Sequence, residues 1–251
     1  MVNTDTATEK RFEEELAARE ARRKEQEEQH LYLPVKVITE ATFQQHGGTD
    51  LTSFEAKPID DPAAPRVYRM LRSAPMQDLV NQVAQDMEQD PRHIRLWIMV
   101  NRQNKTIRPD QPVMDLRPTV EETYSRAAVN RDPALRVWAE VAEEINSEGE
   151  AVWPTYQGQN GVIVKNDLIL LFLKWFDVES QSLKGVSHVY ISKEKKVEEL
   201  VPIIMKKMGW GEKLPSDEKI QLWEVSTSIF FRFGFFANRL NRKSSPTWLK
   251  V

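Results

Sequence analysis

A four-residue word, Ile94-Arg95-Leu96-Trp97, recurs as Ile220-Gln221-Leu222-Trp223, and each copy follows an amphipathic helical stretch that itself follows a β-rich stretch. A module present twice must bury its own strand and helix faces twice, so the chain is constrained to two units built on one plan. Its 251 residues suit two units of ordinary size, and an apolar content of 40% supplies a modest core for each. The shared residues belong to a scaffold, which directs the functional reading toward recognition rather than reaction.

Composition narrows the partners. A net charge of -3 gives no bulk attraction to nucleic acid or to an acidic membrane surface, so neither is an expected partner. The chain contains no Cys, which excludes disulfides, thiolate zinc sites and a cysteine nucleophile within these residues and points to a reducing compartment. Residues 1–10 are polar, without the apolar centre of a signal peptide, and no run approaches the roughly 18 apolar residues of a membrane span. The expected location is the nucleus, the cytoplasm or both.

Periodicity divides the chain. Residues 1–8 are expected to be disordered. Residues 9–30 are rich in Glu, Arg, Lys, Gln and Ala, with opposite charges placed to pair at Arg11/Glu15 and Glu20/Lys24, and read as a solvated connector helix. The first unit, residues 31–142, opens on alternation: Leu31, Leu33, Val35 and Val37 point one way, with Pro34 expected on a sheet edge or where the ladder is unpaired. Residues 39–65, with Gly47-Gly48 and three prolines, are expected to be an exposed and mobile loop. A strand over 66–71 follows, then a helix capped by Ser73, with Met76, Leu79, Val80, Val83 and Met87 at helical spacing. Strands over 94–99 and 136–142 flank a short helix over 120–127. Residues 143–166 read as a linker. The second unit, residues 167–224, repeats the course: strands over 168–176 and 186–191, a helix with Val197, Leu200, Val201, Ile204 and Met208 on one face and a Gly209 stop, then a strand over 219–224.

Two antiparallel strands, a helix, then strands returning to the sheet is β-grasp order. The expected fold class is α+β: two tandem ubiquitin-like β-grasp domains behind a charged connector helix. The sequence words also carry a resemblance. His30-Leu31-Tyr32-Leu33, "IRLW", "LILLFLKWFD" followed by "SLKGVSHVY", and "VEELVPIIMKKMGW" leading to "IQLWE" resemble, in order and spacing over residues 20–224, the first two ubiquitin-like domains after the catalytic domain of the herpesvirus-associated ubiquitin-specific protease family. The resemblance implies a non-catalytic, partner-recruiting and regulatory segment of a cysteine deubiquitinase, acting on proteins with Lys/Arg-containing motifs and on the catalytic domain of the same enzyme.

One departure bears on the site. The family's second domain continues into an acidic turn that accepts such peptides, whereas residues 225–251 contain no acidic residue, five Lys/Arg, and Phe230, Phe231, Phe233, Phe235 and Phe236. This Phe-rich basic tail reads as an alternative C-terminus that truncates the second unit. The other reading is that residues 229–236 pair as a substitute last strand. The acidic site therefore has no matching residue, and no partner-binding residue is assigned.

No catalytic, metal or cofactor residue is assigned either. His30, His46, His93 and His188 are far apart in sequence, without metal-ligand spacing. Gly185-Val186-Ser187-His188-Val189 lacks the second glycine of a nucleophile elbow, and Gly158-Gln159-Asn160-Gly161 lacks the Lys-Ser/Thr of a phosphate loop. Asp60-Asp61, Glu121-Glu122, Glu143-Glu144 and Glu198-Glu199 read as solvated or helix-dipole carboxylates. Trp97 and Trp223 read as core plugs. Two alternatives remain: an autonomous enzyme, which requires a pocket gathering at least two titratable groups, such as His188 with a carboxylate, and a defective product whose second unit never closes.

Overall fold

The computed structural model describes residues 5–54, 58, 60–102, 106–127, 133–159, 162–164, 167–177, 180–211, 218–224 and 235–241. Within them the chain is mixed α+β. Helix α1, Asp5–Gln29, is built from strong helix formers and takes in residues 5–8, which were expected to be disordered. Phe12 and Leu16 are exposed, so this helix buries no stripe at either position.

The first sheet is five-stranded, β1 (Tyr32–Ile38), β2 (Arg66–Leu71), β3 (Ile94–Asn101), β4 (Ile107–Pro112) and β5 (Leu135–Val141), in the order β2-β1-β5-β3-β4. β5 lies parallel to β1 and antiparallel to β3. Leu33, Val35 and Val37 of β1 are fully buried, whereas Leu31 precedes the strand and is exposed. Pro34 stands opposite Arg69 of β2, one residue before β5 begins pairing at Val35, so its missing amide falls where β5 offers no ladder partner.

The span 39–65 is not simply an exposed loop. It contains α2, Glu40–Gln45, with Phe43 fully buried and Leu51 and Thr52 buried after it. A capping box starts α2: Thr42 N–H donates to the Thr39 hydroxyl oxygen at 3.3 Å, and Thr39 N–H donates to the Thr42 Oγ1 at 2.9 Å. Six residues are too few to hold a helix by propensity, so the cap and the burial of Phe43 hold it. Thr39→Ala is expected to cost about 1 kcal/mol in a chemical denaturation, with unchanged slope.

Helix α3, Met76–Asp86, buries Met76, Leu79, Val80, Val83 and Ala84. Its N-cap is Pro75, not Ser73, and no side chain caps it. Its first amides find partners elsewhere: Met76 N–H donates to Pro118 O and Gln77 N–H to Leu116 O. The loop before α4 (Val120–Ala127) thus does the work assigned to serine.

The expected linker, 143–166, holds two short hairpins, β6 (Glu144–Ile145) with β7 (Ala151–Val152) and β8 (Gln157–Gln159) with β9 (Val162–Val164). The second large sheet comprises β10 (Leu168–Asp177), β11 (Ser182–Ser192), β12 (Glu218–Glu224) and β13 (Phe235–Asn241), in the order β11-β10-β13-β12. A 3-10 turn, Val197–Glu199, leads into α5, Leu200–Lys207. β13 runs parallel to β10 and antiparallel to β12. The sheet therefore does not end at Glu224, as a truncated second unit would require; the tail contributes β13, and of the alternative strand over 229–236 only Phe235 and Phe236 lie among the described residues. Its Phe235-Phe236 start suits a strand. Both large sheets contain the order second, first, last, third, to which the first sheet adds β4 at the edge beyond its third strand, and in each a helix lies between the second and third strands in sequence.

Three apolar clusters follow. Alternate residues of β1, β3 and β5 pack with α3, and Leu171, Leu173, Val189 and Ile191 pack with Leu200 and Ile204 of α5. The third cluster joins the sheets: Ile38, Phe43, Trp97, Met99 and Trp138, with Leu170, Phe172 and Tyr190 packed against it. Both faces of β3 and β5 are thus covered, which explains the nearly continuous burial of Ile94 to Met99. Trp97 belongs to the cluster between the two large sheets and not to the one packed with α3. The side chain of Trp223 lies outside the described residues.

Candidate functional site

Alternation places Val137 and Ala139 in the first core, which turns Trp138 and Glu140 toward the second sheet. On β3 the same rule turns Arg95 and Trp97 that way, and β11 answers with His188 and Tyr190. At the centre is Glu140, 2% exposed. It accepts from Arg95 Nε at 3.0 Å, from the Trp97 indole N–H at 2.5 Å and from the Tyr190 hydroxyl at 2.6 Å. Arg95, 5% exposed, also donates to Thr155 O at 2.7 Å and lies over the rings of Trp97 and Trp153, 5.0 and 4.3 Å from the centroids. A buried ion pair is tolerable only when its polar atoms are partnered, and here all three guanidinium nitrogens and both carboxylate oxygens have a partner. Burial, with the Glu140 charge beside it, pushes the Tyr190 phenol well above its ordinary range.

A second polar knot ties α2 to β11. His188 Nδ1 lies 2.7 Å from Glu40 Oε2, and the Ser187 hydroxyl donates to Glu40 Oε1 at 2.5 Å. An ionised carboxylate only accepts, so Nδ1 carries the proton. Burial alone would raise the Glu40 carboxyl, but the hydrogen bond and charge of His188, the Ser187 hydroxyl and Lys207 outweigh it and hold the group below its usual range. Gln44 Nε2 donates to Val186 O at 2.9 Å, where the β10–β11 ladder shifts register between Leu173 and Lys174. Around these bonds, Trp138 packs edge to face against both Phe172 and His188, with Trp138 and Phe172 centroids 4.9 Å apart.

Ser187, His188 and Glu40 are a serine, a histidine and a carboxylate, but their bonds run in the wrong order for nucleophilic catalysis. The serine proton goes to the carboxylate and not to the imidazole, while His188 Nε2 faces Glu140 and Glu143 at 3.8 and 3.9 Å. The grouping joins elements. Elsewhere His93 Nε2 meets Gly149 O at 2.9 Å, and His30 lends only its carbonyl, to Arg72. Among the described residues no set of three or more His, Cys, Asp or Glu could hold a metal ion. Of the paired carboxylates, Glu121 binds Arg72, Glu143 binds Lys207, and Glu199 binds Lys195 at 3.1 Å.

Beside this contact surface opens a cavity of about 480 Å³, lined from both sheets and from the loop residues Thr155 and Tyr156. Lys174, which interrupts an otherwise apolar strand, reaches it while 4% exposed and donates to His46 O at 3.2 Å and Gly48 O at 2.5 Å. Burial, and secondarily the charge of Arg108, pull its ammonium down to about 7. The unfolded chain therefore holds a proton that the folded chain does not between pH of about 7 and 10.5, and in that window stability rises with pH. Lys174→Met is expected to raise the melting temperature relative to wild type most at pH 6, with the difference shrinking as the pH approaches 10; calorimetry across that range checks it.

Sequence reasoning missed Glu40, Arg95, Glu140 and Lys174 as a set. A charge inside an apolar strand word was the available signal for Arg95 and Lys174. Nothing local marked Glu40, whose partner is His188.

Comparison with known proteins places the chain. It is 30% identical over 192 residues to Ubiquitin carboxyl-terminal hydrolase 15 of Schizosaccharomyces pombe, covering 76% of this chain and 16% of that protein. It is 25% identical over 205 residues to Ubiquitin carboxyl-terminal hydrolase 5 of the same yeast, 82% of this chain and 17% of the relative. Ubiquitin C-terminal hydrolase 13 of Arabidopsis thaliana matches at 24% over 237 residues, 94% of this chain and 20% of the relative. The chain thus spans a fifth or less of the length of these relatives. The family described as "ICP0-binding domain of Ubiquitin-specific protease 7" matches residues 94–230, running from the first tryptophan word through β10, β11 and β12 and past Glu224, and the chain belongs to that family.

Proposed function

We infer that the chain is a non-catalytic segment of a cysteine deubiquitinase that recruits and regulates through protein–protein contacts, and that its two large sheets, with their helices, are tandem ubiquitin-like β-grasp domains. The observation that carries this reading is the shared strand order, second-first-last-third, in a chain whose family is described as a binding domain. β-Grasp sheets of this order leave outer strands available, here β2 and β4 in one and β11 and β12 in the other, and strand addition is a general mode of peptide capture. The boundaries follow the sequence reading, 31–142 and 167 onward, with the second domain extended to include β13. Partners with Lys/Arg-containing motifs, and the catalytic domain of the same enzyme, in the nucleus or cytoplasm, complete the proposal.

The purified chain offered an array of Lys/Arg-motif peptides should bind a subset saturably and more weakly as salt rises, and should leave a fluorogenic ubiquitin substrate intact. Binding to none of the peptides contradicts the recruitment reading; hydrolysis of the ubiquitin substrate contradicts the non-catalytic one.

A further inference from the structure

We propose that the cavity between the two sheets is a docking site for a short acidic peptide segment carrying an apolar anchor residue, a partner of charge opposite to that of the Lys/Arg motifs. This goes beyond the proposed recruitment of basic peptides and does not depend on it.

The lining sets the charge. Among the described residues, Arg102, Arg108, Lys174, Lys193 and Lys195 line the cavity against one carboxylate, Asp110. Arg108 is paired with Asp50, and Lys195 with Glu199. Arg102 and Lys193 have exposed side chains with no carboxylate partner among the described residues, and Lys174 at the buried end is held by two carbonyls, which leave its charge uncompensated. Such a cavity attracts carboxylates, and low-dielectric walls strengthen the attraction.

Two further observations point to a bound peptide. Ile169 and Val197, both large apolar residues left exposed, line the same cavity, and an exposed apolar pair beside cations suits a side chain flanked by acids. Thr155 also lines it, 2% exposed, and its hydroxyl has no hydrogen-bond partner. A buried hydroxyl without a partner is uncommon, and a peptide carbonyl or carboxylate would supply the missing acceptor. The volume falls in the range of sites that bind small ligands or a few side chains.

A nucleic acid fits less well. Single-stranded recognition uses free aromatic faces, but Trp97 and Tyr156 pack edge to face at 5.5 Å, and Phe172 is engaged the same way by Trp138. The net charge of -3 also opposes a long polyanion.

The test uses the full chain and fluorescence anisotropy of a labelled Glu-Leu-Glu-Asp-Leu peptide, its Lys-substituted counterpart and a single-stranded oligonucleotide. The acidic peptide should bind, the Lys peptide should not compete for the same site, and R102E with K193E, both exposed and so without cost to folding, should weaken binding by about tenfold or more. Carboxylate binding favours the charged Lys174, so affinity should fall as the pH rises from 6 to 9, and Lys174→Met should remove that dependence. Displacement of the acidic peptide by the Lys peptide, no binding of the acidic peptide, indifference to the double charge reversal, or tighter binding of the oligonucleotide at this site would overturn the proposal.

Discussion

Glu140→Ala is expected to lower the free energy of unfolding by about 3–5 kcal/mol, the cost of leaving a buried charge without its partner. The carboxylate is 2% exposed and takes three donors, so its loss strands the Arg95 guanidinium, the Trp97 indole N–H and the Tyr190 hydroxyl together. For a chain of this size the loss corresponds to a fall of about 10 °C in melting temperature. The effect should also spread: Tyr190 belongs to β11 and Arg95 to β3, so loosening one carboxylate loosens both sheets. Glu140→Gln should lose less, because an amide still offers one acceptor oxygen to the indole or the phenol. Paired thermal melts followed by near-ultraviolet circular dichroism, which reports the buried tryptophans, check both.

The second large effect is expected at Gly185, which the sequence offers only as the first glycine of an incomplete nucleophile-elbow pattern. Its backbone lies against the end of α2. A Cβ there would sit 2.7 Å from the Phe43 carbonyl carbon and 3.0 Å from the Gln44 Cα, and nearer still to the Phe43 carbonyl oxygen. These are backbone atoms and cannot rotate away. Gly185→Ala must therefore displace α2, drawing Phe43 out of its aromatic cluster and breaking the Gln44 bond to Val186, at a cost of about 3 kcal/mol. Gly47→Ala is the matched control: its added carbon would meet only the Leu183 carbonyl at an ordinary 3.4 Å, and stability should change little. Chemical denaturation of the two variants side by side separates a packing effect from a general glycine effect.

The units were legible in the sequence where one physical signal dominated. Alternation from Leu33 to Val37 marked β1, the run over 66–71 coincided with β2, and the spacing of Met76, Leu79, Val80 and Val83 marked α3 and its buried stripe. The junction was not legible, because its parts are remote from one another. Glu40 meets His188 across 148 positions, and Arg95 meets Glu140 across 45. No period or motif encodes such a pairing. The span 39–65 misled for a related reason: Gly47-Gly48 and its prolines punctuate a loop, while the short helix ahead of them depends on tertiary burial of Phe43. The tail misled through composition. Its clustered phenylalanines suggested an unrelated segment, yet pairing with β10 and β12 asks only for extended backbone at Phe235–Asn241.

The Glu140 and His188 contacts join the two sheets into one body. Native-state amide hydrogen exchange of the wild-type chain tests it most directly, by comparing α2 and β11 at the junction with β1 and β5 inside the first unit. If the junction is as described, the Phe43 to Gln45 and Val186 to Tyr190 amides open with free energies close to those of β1 and β5, in one cooperative unit. Exchange of those junction amides at several orders of magnitude faster than β1 and β5, as for two units moving independently, would contradict it.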